Sequence, residues 1–167
     1  AGQDPVALES IARDAGVGIG TLYRHFPSRA ALVEAVYRSE LDRLCRSADA
    51  LLAGQDPADA LRAWMERYVD FVRTKRGMAE ALRDAVASGS ITSSQTRASL
   101  NGAIKTLLDA GAAAGTLRGD VLPDDVCSAM AGVALTAGAP QHHEQARRLL
   151  DLIMAGLSVP EIVGGRS

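Results

Sequence analysis

The sequence predicts an all-helical protein, a small N-terminal helix-turn-helix unit followed by a larger helical domain. Apolar residues recur at helical spacing along most of the chain. Ala, Leu and Gly abound while aromatic residues make up only 4%. Gly, Pro and Ser, Thr or Asp fall where helices should stop and start. With 167 residues, 47% of them hydrophobic, the chain is long enough to bury a real core.

The first unit spans residues 1–37. Leu8, Ile11, Ala12 and Ala15 form one apolar face, with Glu9, Ser10, Arg13 and Asp14 on the other. Ala12 is small where two crossing helices come closest. Gly16 follows as a left-handed cap, and Val17 is expected to point back into the core. Leu22 and Phe26 lie four apart and share the inner face of a second helix, leaving Thr21, Arg24, His25 and part of Tyr23 outward. Pro27 ends that helix and Ser28 caps the next. Between Asp14 and Glu34 no side chain is acidic. Arg24 and Arg29, with titratable His25, make a basic patch in a chain of net charge −2. Phosphate binding needs such a patch, because counterion release supplies much of the affinity for DNA. Ser28 and Arg29 also stand at a helix N-terminus, which favours an anion.

The block Ile11 with Ala12, Ala15 to Val17, Thr21 to Tyr23, His25 with Phe26, Ser28 with Arg29, and Leu32 resembles the TetR family of bacterial one-component regulators. The resemblance is strongest over residues 6–37; beyond them it extends only to the helical layout. It implies that Tyr23 and Arg29 hold phosphates, with Arg29 where the family usually has Lys. It implies that Gly18, Ile19, Gly20, Thr21 and His25 face base edges. Gly18, Ile19 and Gly20 carry no hydrogen-bonding side chain, a departure from many members. Ile19 then either touches a thymine methyl or packs in the core, and the glycines permit close backbone approach. Specificity leans on Thr21, Arg24, His25 and DNA shape. Tyr23 also fits as a lid on the core with its hydroxyl in water, and His25 as a surface residue on a short helix. The family has a further helix before this motif, so the sequence is expected to lack that first helix. The Gly16, Gly18, Gly20 run does not read as a nucleotide loop, because no strand precedes it and the third glycine is misplaced.

The second domain spans residues 38–167. A long helix is expected over residues 29–53, carrying the DNA-binding unit into this domain. Asp56 and Pro57 open the next, with Leu61, Trp64, Met65, Tyr68, Phe71 and Val72 on its inner face and Lys75, Arg76 and Gly77 closing it. A shorter helix covers residues 78–86, broken by Ser88, Gly89 and Ser90. Thr92 and Gln95 suit a capping box for a helix ending near Gly115. Pro123, with Asp124 and Asp125 set against the helix dipole, starts a helix that stops at Gly138. The last covers residues 143–157.

By resemblance, the final two helices pair with their twins in a homodimer, through Met130, Val133, Ala134, Ala137, Leu149, Leu150, Ile153 and Leu157. Packing within one chain is the alternative for the same residues. A two-fold dimer suits a palindromic operator on double-stranded DNA. By the same resemblance Trp64, Tyr68, Phe71, Met78, Leu82 and Leu107 are the candidate effector pocket, while residue by residue ordinary core is the favoured reading. With no dense charge cluster among them, an apolar or neutral small molecule is expected. His142, His143 and Glu144 are adjacent, so their side chains diverge and no metal site is expected. No cofactor is expected either. Cys45 and Cys127 lack metal spacing and suit a reduced, cytoplasmic setting. No run is long enough to span a membrane and no signal peptide is visible. The expected function is a ligand-released repressor. The alternative is a DNA-binding dimer whose second domain only dimerises or recruits a protein. No nucleophile–base pair, metal set or phosphate loop supports an enzyme.

Overall fold

The computed structural model describes residues 8–78, 82–83, 86–87, 89, 91–137 and 142–159. Seven helices run through them: α1 (Leu8–Asp14), α2 (Ile19–His25), α3 (Arg29–Leu52), α4 (Pro57–Gly77), α5 (Ser93–Ala114), α6 (Pro123–Ala137) and α7 (His143–Leu157). There is no strand among the described residues. Leu117 and Ser158 form an isolated antiparallel bridge. Around it, the Arg118 N–H donates to Leu157 O (2.8 Å) and the Val159 N–H to Thr116 O (3.2 Å), tying the end of α7 to the loop after α5.

The caps stand where the sequence places them. Ser28 Oγ accepts from the Ala31 N–H at 3.1 Å, Asp56 from Ala58 at 2.9 Å, and Thr92 from Gln95 at 3.3 Å. Each satisfies one donor that a helix start would otherwise leave orphaned. Gly115 closes α5 with φ +72°. Of the helix expected over residues 78–86, Leu82, Arg83 and Val86 are helical, as is Ala87, and the rest beyond Met78 lies outside the described residues. So do Ser88, Ser90, the stop at Gly138 and everything before Leu8.

α3 packs on α4 and α5, α5 on α6, and α7 on α6 and α4, while α1 packs on α2. The core lies between α4 and α5, where Leu61, Trp64, Met65, Ile104 and Leu107 are fully buried with Met130 and Leu150. The Trp64 indole N–H donates to Leu44 O at 2.9 Å, so the largest core side chain has its polar atom satisfied by α3. Arg62 reaches from α4 to Asp151 on α7, Nε to Oδ1 at 2.8 Å. Arg97 and Asp124 join α5 to α6 as a fork, reinforced by Asn101 (2.8 Å to Asp124 Oδ1) and Ser128 (2.6 Å from Arg97).

The outward face of α6 and α7 differs from the sequence expectation. Met130, Val133, Ala134, Leu150 and Leu157 are buried within the chain, and Leu149 and Ile153 are packed against that core. The side chain of Ala137 lies outside the described residues. The apolar residues left outward are Leu135 (72% exposed) and Leu152 (69%), among exposed Ala129, Gly132, Ala155 and Gly156. Beyond its first turn α6 is apolar or small on both faces, so periodicity alone does not separate inner from outer there, whereas α7 turns Glu144, Arg147, Arg148 and Asp151 outward around Leu152.

Gly111 marks a tight crossing. A Cβ there would meet Leu117 Cδ1 at 2.3 Å and Leu117 Cγ at 2.5 Å. Gly111→Ala should therefore destabilise the fold by about 1 to 3 kcal/mol through overpacking, read as a lower midpoint in urea. Leu117→Ala is itself destabilising, but combined with Gly111→Ala the two losses should sum to less than the separate values, because the smaller side chain leaves room for the new Cβ.

Hydrogen bonds from Arg97 and then Asn101 hold the Asp124 carboxyl down at about 2, from an ordinary 3.8. A carboxyl depressed in the folded state adds stability above its unfolded pKa and loses it as pH falls through the folded value. The stability gap between the wild type and Asp124→Asn should be constant above about 3.8 and close as pH falls towards about 2. Urea unfolding at stepped pH measures it; a gap that is flat across that window would refute the assignment.

Candidate nucleic-acid interface

The turn between α1 and α2 is built by backbone. Gly16 has φ +69°, a conformation costly for any residue with a Cβ. Its N–H donates to Arg13 O (3.1 Å), and the Val17 N–H reaches Ala12 O (2.9 Å). This pair of bonds closes α1 as a Schellman cap. Val17 corrects the sequence reading: its side chain is 41% exposed. The backbone bond, not side-chain burial, holds it in the turn. Ala15 is exposed as well, so the inner face of α1 rests on buried Ala12 with Leu8 and Ile11 half-buried.

α2 starts after Gly18, which is extended (φ −67°, ψ 140°) and offers no side-chain cap. The N–H groups of Thr21 and Leu22 return to Gly18 O at 2.9 and 3.1 Å. Leu22 is the buried residue of this helix, and Phe26 is half-buried beyond its end. Everything else faces out. Gly18, Gly20, Thr21, Arg24 and His25 are exposed, as are Ile19 (38%) and Tyr23 (44%). Of the two alternatives left for Ile19, its exposure leaves the side chain available to a partner. Phe26 N–H still bonds Leu22 O (2.8 Å) before Pro27 ends the helix.

Ser28 and Arg29 follow directly and are exposed at the start of α3. Because Ser28 Oγ takes only the Ala31 N–H, the earlier amides of α3 remain available to an anion beside the Arg29 charge. No acidic residue lies in the first turn of α3. Among the described residues, Arg24, His25 and Arg29 make no ion pair. The surface thus offers unneutralised cations, a phenol and a helix N-terminus on one exposed segment.

α3 then leaves this unit as one rod of 24 residues, about 36 Å long at 1.5 Å per residue. Tyr37 is its first deeply buried residue, with Leu44 and Ala48 further along. The Tyr37 hydroxyl pairs with Thr96 Oγ1 on α5 at 3.0 Å. Its ring lies 5.6 Å from that of Phe71 on α4, and Lys75 Nζ sits 5.4 Å from its centroid. The sequence reading missed this joint. Its partner is 59 residues away, and no local pattern encodes such a pairing.

Of the pocket candidates, Trp64 and Leu107 are fully buried, and Tyr68, Phe71 and Leu82 are buried. Met78 is packed against the core. Phe71 borders a cleft of about 340 Å³ between α3 and α4, shared with Glu40, Arg43, Arg67 and Asp70. Leu82 borders a separate groove. Burial raises the Tyr68 phenol to about 12 and the Cys45 thiol to about 11; Cys127 is also raised, mainly by burial. His142, His143 and Glu144 are exposed, and no group of metal-binding side chains occurs among the described residues. None of their helices is long and apolar enough to cross a membrane.

Comparison with known proteins gives a consistent result. Residues 1–36 match the family described as bacterial regulatory proteins, tetR family. Residues 56–159 match the SbtR-like transcriptional regulator C-terminal domain. The TetR transcriptional regulator SCO0520 from Streptomyces coelicolor is similar at 50% identity and TM-score 0.85, covering 93% of this chain and 90% of that one. A TetR regulatory protein from Mycobacterium vanbaalenii is 30% identical with TM-score 0.68, covering 95% and 87%. The HTH-type transcriptional regulator SAR0097 of Staphylococcus aureus is 35% identical over 66 residues, 38% of this chain and 35% of that relative's length.

Proposed function

The chain belongs to the TetR family of DNA-binding transcriptional regulators, and on that premise we propose that it is a homodimeric repressor which binds a palindromic operator and is released by a small molecule. The observation that carries this reading is the exposed α2 face beside Arg29, mounted on a helix that runs unbroken into the effector-side domain. In this reading Tyr23, Ser28 and Arg29 hold phosphates. Gly18, Ile19, Gly20, Thr21, Arg24 and His25 face the groove.

Release is a population shift. An effector that favours one arrangement of the helical domain moves α3, and with it the spacing of the two recognition helices. The exposed Leu135 and Leu152 on α6 and α7 support the dimer, since they are the large apolar residues which those helices leave outside their own core. The tight packing around Trp64 and Leu107 favours a second reading, in which the helical domain dimerises or recruits a protein without taking up a ligand at that place.

Operator binding is tested on the palindromic DNA upstream of the chain's own gene. Replacing Arg29 by Ala and Tyr23 by Phe should weaken binding across all operator variants alike. It should also lower the salt slope by about 1 for each phosphate that the variant no longer neutralises. Fluorescence anisotropy at stepped salt reads both quantities, and an unchanged slope would count against the phosphate roles.

Leu152→Lys places a charge on the outward face of α7 without touching the core. It should shift the protein from dimer to monomer in analytical ultracentrifugation and reduce operator affinity in parallel. A dimer that survives it would move the interface elsewhere.

A further inference from the structure

α3 and α4 do not close completely on each other. The cleft between them holds about 340 Å³, within the range of about 300 to 1,000 Å³ common for small-molecule pockets. All its lining residues lie on these two helices and none on α6 or α7. Leu44 and Phe71 form an apolar floor, and both are buried. Each also belongs to an attachment of α3 to α4. Leu44 O accepts from the Trp64 indole at 2.9 Å, and the Phe71 ring lies 5.6 Å from that of Tyr37.

Four charges line the cleft with this floor, Glu40 and Arg43 from α3 and Arg67 and Asp70 from α4. Two are of each sign, so an occupant with a net charge meets repulsion as well as attraction. An occupant carrying both signs can match them. Arg43 pairs with Glu40 Oε2 on α3, and Arg73 with Asp70 Oδ1 on α4 at 3.1 Å. Neither pair crosses the cleft, and the second oxygen of each carboxylate accepts no hydrogen bond among the described residues. Arg67 makes no ion pair or hydrogen bond among those residues either. Glu40 is the more sheltered acid, its side chain 30% exposed against 66% for Asp70, so water screens its charge less.

We propose that this cleft binds a free amino acid with an apolar side chain. Its carboxylate takes Arg67 on α4, its ammonium takes Glu40 on α3, and its side chain lies on Leu44 and Phe71. Such a ligand supplies the bridge between the two helices that neither ion pair makes. It thereby fixes the angle of α3 to α4, and α3 carries the DNA-binding unit. Occupancy favours one spacing of the recognition helices over another. The inference names the site and the chemistry of the releasing small molecule, and it rests on the reading of the chain as an effector-released regulator.

The test uses the full chain in titration calorimetry. The probes are leucine and phenylalanine, the same two without the carboxylate (isoamylamine and phenethylamine) or without the ammonium (isocaproate and hydrocinnamate), and glycine, which lacks the side chain. Leucine or phenylalanine should bind about ten-fold tighter than its own truncations and than glycine. In Arg67→Gln the preferred amino acid should fall to the affinity of its amine, and in Glu40→Gln to that of its acid. Asp70→Asn should leave its affinity within about two-fold. All three changes remove surface charges, so melting temperatures within about 3 °C of the wild type will show the fold intact. At saturation the preferred amino acid should weaken operator binding by the wild type about ten-fold, and the same concentration should leave Arg67→Gln unaffected. Equal affinity for an amino acid and its truncations, or a preference indifferent to Arg67→Gln, overturns the site. An ammonium preference lost in Asp70→Asn and kept in Glu40→Gln overturns the bridge to α3. Binding that leaves operator affinity unchanged overturns the effector role. Operator binding is also measured without any probe. Its failure there would sink the regulator reading itself, whereas its success with no amino-acid preference would sink this inference alone.

Discussion

The structure depends on α3 being continuous and pinned. A helix that crosses from one unit to another transmits motion only if it neither bends nor slides. Within α3 no Pro or Gly interrupts the ladder. At one end Ser28 satisfies its start. Further along, Tyr37 is clasped by Phe71, Thr96 and Lys75, and Trp64 reaches from α4 to bond Leu44 O. Of these attachments, the Trp64 bond is deeply buried, while the Lys75 contact lies at the surface.

The electrostatics divide the same way. The whole chain is slightly acidic, yet the segment between Asp14 and Glu34 carries only cations. Elsewhere charges pair along and between helices: Arg38 with Glu34, Arg46 with Asp42, and Lys105 with Asp109 on single helices; Arg62 with Asp151 and Arg97 with Asp124 across them. Pairs on an exposed helix add little to stability. They keep most of the surface electrically mixed, whereas the segment between Asp14 and Glu34 carries no acidic side chain.

The outer faces of α6 and α7 show how one composition serves two ends. Ala, Gly and Leu let a helix approach a neighbour closely on any side. One side of α6 goes to the core through Met130, Val133 and Ala134, and another leaves Leu135 in water. On α7 the exposed Leu152 stands among charged residues, Arg148 and Asp151 beside it.

The sequence by itself determined the helices, their caps and the identity of the DNA-binding unit. These rest on interactions within a few residues: Ser28 with Ala31, Asp56 with Ala58, Thr92 with Gln95, Gly16 at positive φ. The exposed residues of α2 were legible for the same reason, since a short helix with Leu22 and Phe26 inside must turn the rest outward. Val17 was misread because a turn held by backbone bonds leaves no periodicity by which to place a side chain. Only the tertiary structure decided which apolar residues are core and which are surface. Trp64 and Leu107 went to the interior, and Leu135 and Leu152 to the outside, although all four sit on helices of similar pattern. It also decided the joint at Tyr37 and the placing of Lys75 and Arg76 beside Leu135. Those contacts join residues far apart in the chain, and their geometry is set by how whole helices cross, which no local spacing records.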